Sequence, residues 1–218
     1  QKSFSLGDPD VGQFGLREEA GTPWMVQGLK PIMAVNKLAM FGRHNVANAL
    51  AALALGQAVG LPMEAMTKTL TAFTGLSHRC EWVADIDGVA YINDSKGTNI
   101  GATVAALEGL GPALTGKIML IAGGLGKGAD FSELVAPLSR YGKQVVLIGR
   151  DANDIEMALV GKVRCIHAQD MQSAVSIAHA QAVSGDLVLL SPACASFDAY
   201  ANFEARGDHF SALVRALA

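Results

Sequence analysis

Apolar positions along the chain change their rhythm near residue 75. Before residue 40 they come in short pieces, 3–6, 14–16, 24–26 and 32–35, separated by Gly, Pro and Asp. Pieces of that length between turn formers predict small antiparallel strands. Such strands need a partner layer for their apolar faces, and the nearby sequence offers little that could supply one. These residues therefore read as the remnant of a larger domain, expected to fray or rearrange. The chain opens on Gln1 without Met, which agrees with a processed or truncated stretch. A helix follows over 44–60, rich in Ala and Leu and ended by Gly60 with Pro62 just beyond, and a second runs over 63–73.

After a short loop at 74–79 the pattern becomes strand–helix alternation. Residues 81–85 and 89–93 pair around Asp87-Gly88, a strong hairpin signal. Apolar strands then fall at 117–122, 144–148, 163–166 and 186–190. Helices fall between and after them at 100–110, 131–140, 151–160, 171–183 and 202–216. Continuous apolar strands between helices argue an α/β fold: a mostly parallel, Rossmann-like sheet covered on both faces, with the hairpin adding an antiparallel edge. The boundary is placed between residues 76 and 77, giving two pieces, 1–76 and 77–218.

Composition removes several classes. Half the residues are hydrophobic and 17% are charged, so a sizeable core is available and disorder is not expected. A formal net charge of -3 gives no argument for nucleic acid or an anionic membrane as partner. No apolar run reaches the length of a membrane span. Cys80, Cys165 and Cys194 are odd in number and far apart in apolar surroundings, which suits reduced thiols in a cytoplasmic protein.

The candidate chemistry gathers at strand ends. Residues 91–99 (Tyr-Ile-Asn-Asp-Ser-Lys-Gly-Thr-Asn) run from an apolar strand into a turn carrying Asp94, Lys96, two hydroxyls and two amides. A turn at the carboxyl end of a strand faces the crevice where open α/β sheets bind ligands. The free N–H groups of the next helix, with Lys96, favour an anion there. Simple capping by Ser95 or Thr98 is the plainer reading, but capping needs one such residue rather than five. The turn 123–130 (Gly-Gly-Leu-Gly-Lys-Gly-Ala-Asp) lacks the Walker A spacing. It does match the dinucleotide pattern at Gly124, Gly126 and Ala129, a short and common signal. A glycine-lined approach for a carboxylate or phosphate, with Lys127 as point charge, accounts better for the lysine. A third loop, 191–198 (Ser-Pro-Ala-Cys-Ala-Ser-Phe-Asp), puts Ser196 before a helix; Cys194 within it reads as a packed small hydrophobe. Asn45 and Asn48, three apart, share one face at the start of the first helix; capping by Asn45 is the plainer reading there.

Five motifs in order, Gly42-x-His-Asn-x-x-Asn48, Leu76-x-His-Arg79, Asn93-Asp-Ser-Lys-x-Thr-Asn99, Gly123-Gly-x-Gly-Lys127 and Ser191-Pro-Ala-Cys-Ala-Ser196, resemble those of the Mur ligases. The resemblance covers the latter half of such an enzyme: the end of the central ATPase domain in 1–76 and the C-terminal domain in 77–218. It is nearest to the member that adds D-glutamate to UDP-N-acetylmuramoyl-L-alanine in peptidoglycan precursor synthesis. That implies a cytoplasmic, monomeric, ATP-dependent amide ligase working through an acyl phosphate. Its Mg2+ ligands would lie in the preceding half, so this stretch alone would turn over no ATP. The resemblance puts Asn45 and Asn48 at adenine, His78 and Arg79 at the nucleotide, and Asp94 at ribose. Lys96, Thr98, Lys127, Ser196, the Phe197 backbone and Phe203 would frame D-glutamate. Gly97 and Phe197 depart from the family pattern. A non-enzymatic nucleotide- or amino-acid-binding module, a nicotinamide oxidoreductase built on Gly124 and Gly126, and a folylpolyglutamate synthetase are the rival readings.

Overall fold

The short apolar pieces at the start pair as a three-stranded antiparallel meander, β1 (Phe14–Glu19), β2 (Thr22–Gln27) and β3 (Lys30–Ala34). The computed structural model describes residues 3–40 and 42–217; Gln1, on which a truncated start was read, lies outside the described residues. Residues 3–6 form no strand. Phe4 makes an isolated bridge to Phe14, and Gly7 O still accepts from Leu16 N–H at 2.9 Å, so the segment lies along β1; Pro9 just beyond has no N–H with which to extend a ladder. The expected fraying is also corrected, because the partner layer lies further along the chain. Helix α1 (Arg43–Ala58) and helix α2 (Met63–Ala72) cover the meander. Phe14, Met25 and Met33 are buried with Val46, Leu50, Leu53 and Leu70, each contributing roughly 1.5–3 kcal/mol of burial. Gly42 stands at the N-cap of α1 without a side-chain cap, so Asn45 is not the cap; its Oδ1 accepts from Asn48 Nδ2 at 3.3 Å.

This first unit is Gln1–Gly75, and the second is Leu76–Ala218. In the second, β4 (Glu81–Ile86) and β5 (Val89–Asn93) form the antiparallel hairpin, with Asp87 and Gly88 both at positive φ as a type I′ turn demands. Then follow α3 (Ile100–Leu110), β6 (Ile118–Gly123), α4 (Val135–Tyr141), β7 (Gly142–Ile148), α5 (Ala152–Leu159), β8 (Cys165–His167), α6 (Met171–Gln181), β9 (Leu187–Leu190) and α7 (Phe203–Arg215). The single helix expected over 131–140 is split: Phe131–Leu134 is a 3-10 turn and α4 begins at Val135. Pro137 explains the start, since proline is tolerated only within a first helical turn.

The sheet runs β4-β5-β9-β6-β7-β8, parallel except at its β4 edge. Its pleat sorts the apolar strands between two cores. Ile118, Leu120 and Ala122 of β6, with Leu187 and Leu189 of β9, pack against Leu107, Leu134, Leu138 and Ile155. Met119, Ile121, Val188 and Leu190 point the other way, against Met171, Val175, Phe210 and Val214. Burial on both faces is what produced uninterrupted apolar runs. From β6 the chain moves to β7 on one side while β9 inserts on the other, so strand order reverses between β6 and β9. Such a reversal opens a crevice at the carboxyl ends of the strands. Among the described residues, no helix is long and apolar enough to cross a membrane.

Candidate functional site

The loops after β5, β9 and β6 leave three adjacent strands, and main-chain hydrogen bonds stitch them together. Ala193 N–H donates to Gly97 O at 2.9 Å, and Gly123 N–H to Pro192 O at 2.9 Å. Leu125 and Ala195 exchange both their bonds, at 2.9 and 3.0 Å. The glycines serve this stitching: a Cβ at Gly124 would run into the Ala195 carbonyl oxygen, and φ there is 130°. The dinucleotide reading loses its basis here. Gly126 N–H, which the fingerprint would offer to a pyrophosphate, is taken by Asp151 Oδ2 at 2.7 Å.

Within this frame Asp94, Ser95 and Gly97 of the turn after β5 are buried. Asp94 Oδ2 accepts from Ser191 Oγ at 2.7 Å and its Oδ1 from Cys80 N–H at 3.2 Å. Burial raises the Asp94 carboxyl to about 6 from an ordinary 3.8, against the opposing pull of those hydrogen bonds and of Arg79. Asn99 caps α3 by accepting from Ala102 N–H at 2.9 Å, so the cap that the plainer reading gave to Ser95 or Thr98 falls to neither. Lys96 extends its ammonium over the Phe203 ring, 4.0 Å from the centroid. The other face of this cluster is His78, edge-on to Phe203 with centroids 6.0 Å apart. Thr98 is half-buried beside Lys96, and Arg79 is exposed.

Loop 191–198 buries Ser196 and leaves Phe197 two-thirds exposed, so the Phe197 side chain stands outside the packed core. Lys127 is exposed at the tip of the glycine turn, two residues beyond the Leu125–Ala195 bridge, with φ at 58°. Cys194 is fully buried and its thiol is pushed up to about 12, first by burial, which fits packing and not nucleophilic chemistry. The structure thus brings Lys96, Phe203 and His78 into one contact cluster and ties the loops of Thr98, Ser196 and Lys127 to one frame. Asn45 and Asn48 belong to the first unit.

One residue that sequence reasoning missed organises the frame. Arg206 of α7 is 1% exposed, and its guanidinium donates to Ser95 Oγ at 3.0 Å, Ser95 O at 2.8 Å and Cys194 O at 3.1 Å. Burial pulls this group down to about 10, which leaves it cationic at neutral pH. It joins two of the three loops from beneath. A cleft of about 300 Å3 adjoins Arg206 on the side of Gly149, Asp170, Tyr200 and His209; Gly123 and Gly124 of the glycine turn line it, but none of the side chains assigned to a nucleotide or to D-glutamate does. Its polar groups are engaged within the protein: Tyr200 Oη pairs with His209 Nδ1 at 2.8 Å, and Asp170 caps α6. Among the described residues, no three His, Cys, Asp or Glu side chains come together as a metal site.

Comparison with known proteins adds to this geometry. The family model described as "Mur ligase, glutamate ligase domain" matches residues 78–194. The UDP-N-acetylmuramoylalanine–D-glutamate ligase of Nitrosococcus oceani is 55% identical over 212 residues, 97% of this chain and 46% of that protein. The enzyme of the same name from Hahella chejuensis is 51% identical over 98% of this chain and 48% of its own length. The chain spans about half the length of the curated relatives it matches. Among solved structures, folylpolyglutamate synthase of Mycobacterium tuberculosis, complexed with ADP and AMPPCP, gives a TM-score of 0.66 at 16% identity over 90% of this chain and 48% of that one. UDP-N-acetylmuramate–alanine ligase of Thermotoga maritima gives 0.62 at 14% identity, covering 94% of this chain and 46% of that one. At those identities the likeness is one of fold.

Proposed function

This chain belongs to the Mur ligase family, and we propose that it is the latter half of an ATP-dependent ligase joining D-glutamate to UDP-N-acetylmuramoyl-L-alanine in peptidoglycan precursor synthesis. The observation that supports the reading is the stitched frame of three loops that carry Lys96, Thr98, Lys127 and Ser196, in a chain 51–55% identical to ligases of that name. In this reading the γ-phosphoryl of ATP passes to the terminal carboxylate of the UDP-sugar substrate, and ADP leaves. The amine of D-glutamate then attacks the acyl carbon, the C–O bond to phosphate breaks as the amide forms, and the proton lost by the amine leaves with the phosphate.

The side chains of this chain bind and orient rather than transfer protons. D-Glutamate carries two carboxylates, and two lysines with hydroxyl and N–H donors complement them. Lys96, Thr98, Lys127, Ser196, the Phe197 N–H and Phe203 take that task. Lys96 is pre-positioned, because the Phe203 ring holds its ammonium in place before any ligand arrives. Asn45 and Asn48 take adenine, His78 and Arg79 the nucleotide, and Asp94 the ribose. A magnesium ion would supply neutralisation of phosphate charge in such a transfer. The protein works in the cytoplasm as a monomer on soluble, nucleotide-linked precursors.

Steady-state kinetics on a chain extended to the relatives' length test the assignment. A charge-assisted hydrogen bond is worth roughly 1.5–3 kcal/mol, so Lys127→Ala should raise the KM for D-glutamate about ten- to a hundred-fold. The KM for ATP should hardly move, and Asn48→Ala should give the reverse pattern. If Lys127→Ala raises the ATP constant and leaves D-glutamate untouched, the glycine turn has been misassigned.

A further inference from the structure

We propose that Asn93 is a positioning residue that locks His78 in one tautomer, with the proton on Nε2 and Nδ1 held as an acceptor. The proposal rests on the reading of His78 as a residue at the nucleotide only for its consequence, that Nε2–H is presented to an anionic oxygen. The geometry itself involves no ligand.

Asn93 is fully buried at the carboxyl end of β5. Its amide orientation is decided by two neighbours that each have a single role. Ser95 N–H can only donate, and it donates to Asn93 Oδ1 at 3.1 Å. Gly207 O can only accept, and it accepts from Asn93 Nδ2 at 3.0 Å. The NH2 end therefore faces α7, where its two hydrogens serve three acceptors, Gly207 O, Ser211 Oγ at 3.0 Å and His78 Nδ1 at 3.1 Å, one of them shared. An amide nitrogen has no acceptor capacity. A proton on His78 Nδ1 would set N–H against N–H at that distance, so Nδ1 must be the bare nitrogen.

The other groups around the ring leave this conclusion standing. Glu81 Oε2 lies 4.0 Å from Nδ1, beyond hydrogen-bond reach, and already accepts the His78 main-chain N–H at 2.9 Å. Asp208 Oδ1 lies 3.7 Å from Nε2 on a largely exposed side chain, too far to hold that proton. Lys96 places its ammonium at the face of the Phe203 ring, while His78 meets that ring edge-on. Gly207 permits the arrangement: a Cβ there would run into His78 Nδ1 and press on both polar atoms of Asn93. The histidine also holds a positive φ of 63°, and its carbonyl accepts from Lys96 N–H at 3.0 Å. Backbone and ring are thus fixed together, and the neighbouring amide sets which nitrogen donates, as outer hydrogen-bond partners do for histidines generally.

Long-range 15N–1H correlation spectra of the imidazoles test this on the 218-residue chain itself. They are recorded about two pH units above the ordinary imidazole value of roughly 6.5, with His78 assigned by its loss in His78→Gln. The expected wild-type pattern is one tautomer, Nδ1 unprotonated and Nε2 protonated. Asn93→Asp replaces the donor by a carboxylate oxygen and should move the proton to Nδ1 while the backbone amide spectrum stays folded. A wild-type Nδ1–H, or the averaged mixture of a free imidazole, overturns the proposal, and so does a folded Asn93→Asp protein whose tautomer is unchanged. Should Asn93→Asp fail to fold, the wild-type spectrum decides alone. No ligand enters the measurement, so an adverse result here strikes the tautomer and leaves the ligase reading to the Lys127 kinetics.

Discussion

Replacing Asp94 by Asn should flatten the pH dependence of stability in the second unit. The Asp94 carboxyl sits at about 6 in the fold against 3.8 in the unfolded chain, because burial disfavours its charge more than Ser191 and Cys80 favour it. The sign follows from proton counts. Between pH 3.8 and about 6 the folded state keeps a proton that the unfolded chain has released, so stability falls as pH rises through that window. At about 1.4 kcal/mol per pH unit the loss approaches about 3 kcal/mol, or a drop in Tm of roughly 6–12 °C. Asparagine fits the same space without the charge. Its NH2 can donate to Ser191 Oγ, and the Ser191 hydroxyl can turn to Thr103 Oγ1, already 3.0 Å away. Trp82 in β4 reports this unit once Trp24, the other tryptophan, is replaced by Phe. Urea unfolding followed by Trp82 fluorescence, at pH values on either side of the window, compares the chain carrying Asp94 with the Asp94→Asn variant in that background. The chain with Asp94 should lose about 3 kcal/mol more than Asp94→Asn between the two ends. Parallel curves for the two proteins would refute the argument that desolvation dominates at this carboxylate.

Two further substitutions probe the frame of loops. Arg206→Met removes the donors to Ser95 O and Cys194 O and leaves two buried acceptors unmet, at about 1–3 kcal/mol each. The urea midpoint of the second unit should fall accordingly, and an unchanged midpoint would show that the guanidinium's own burial cancels its bonds. Gly124→Ala should cost about 2–6 kcal/mol, combining backbone strain at φ 130° with the clash against Ala195 O. Gly128→Ala, at φ 71° with no atom near its Cβ, should cost about 1 kcal/mol and serves as the control.

Much of this architecture was legible because burial on both faces leaves an unmistakable trace. The apolar runs of β6, β7 and β9 and the Asp87-Gly88 turn need nothing beyond local chemistry to be read. What was hidden depended on partners distant in sequence. The meander's cover could not be inferred from its own forty residues, since Phe14 meets Leu50 and Leu53 on a helix read separately. Arg206 was invisible for a related reason: in a helix carrying Glu204, Arg206, Asp208 and His209, one arginine reads as part of a solvated face. Only the fold shows that it points at the carbonyls of Ser95 and Cys194. The polar turn after β5 was found by its density of functional groups, but which of them would cap α3 turned on backbone geometry that Asn99, not Ser95 or Thr98, satisfies.

The loops after β5, β6 and β9 are joined to one another by carbonyls and N–H groups, which every residue type carries alike. The rim's shape is therefore written in the main chain, while its outward surface is written in exposed side chains such as Lys127 and Phe197 that take no part in the stitching. Drift at those two positions alters the chemistry on display without moving the platform that displays it. Exchanges of the outward groups should leave a scaffold of this kind standing, and its tolerance should end abruptly at Gly124 and Arg206, where the platform itself begins.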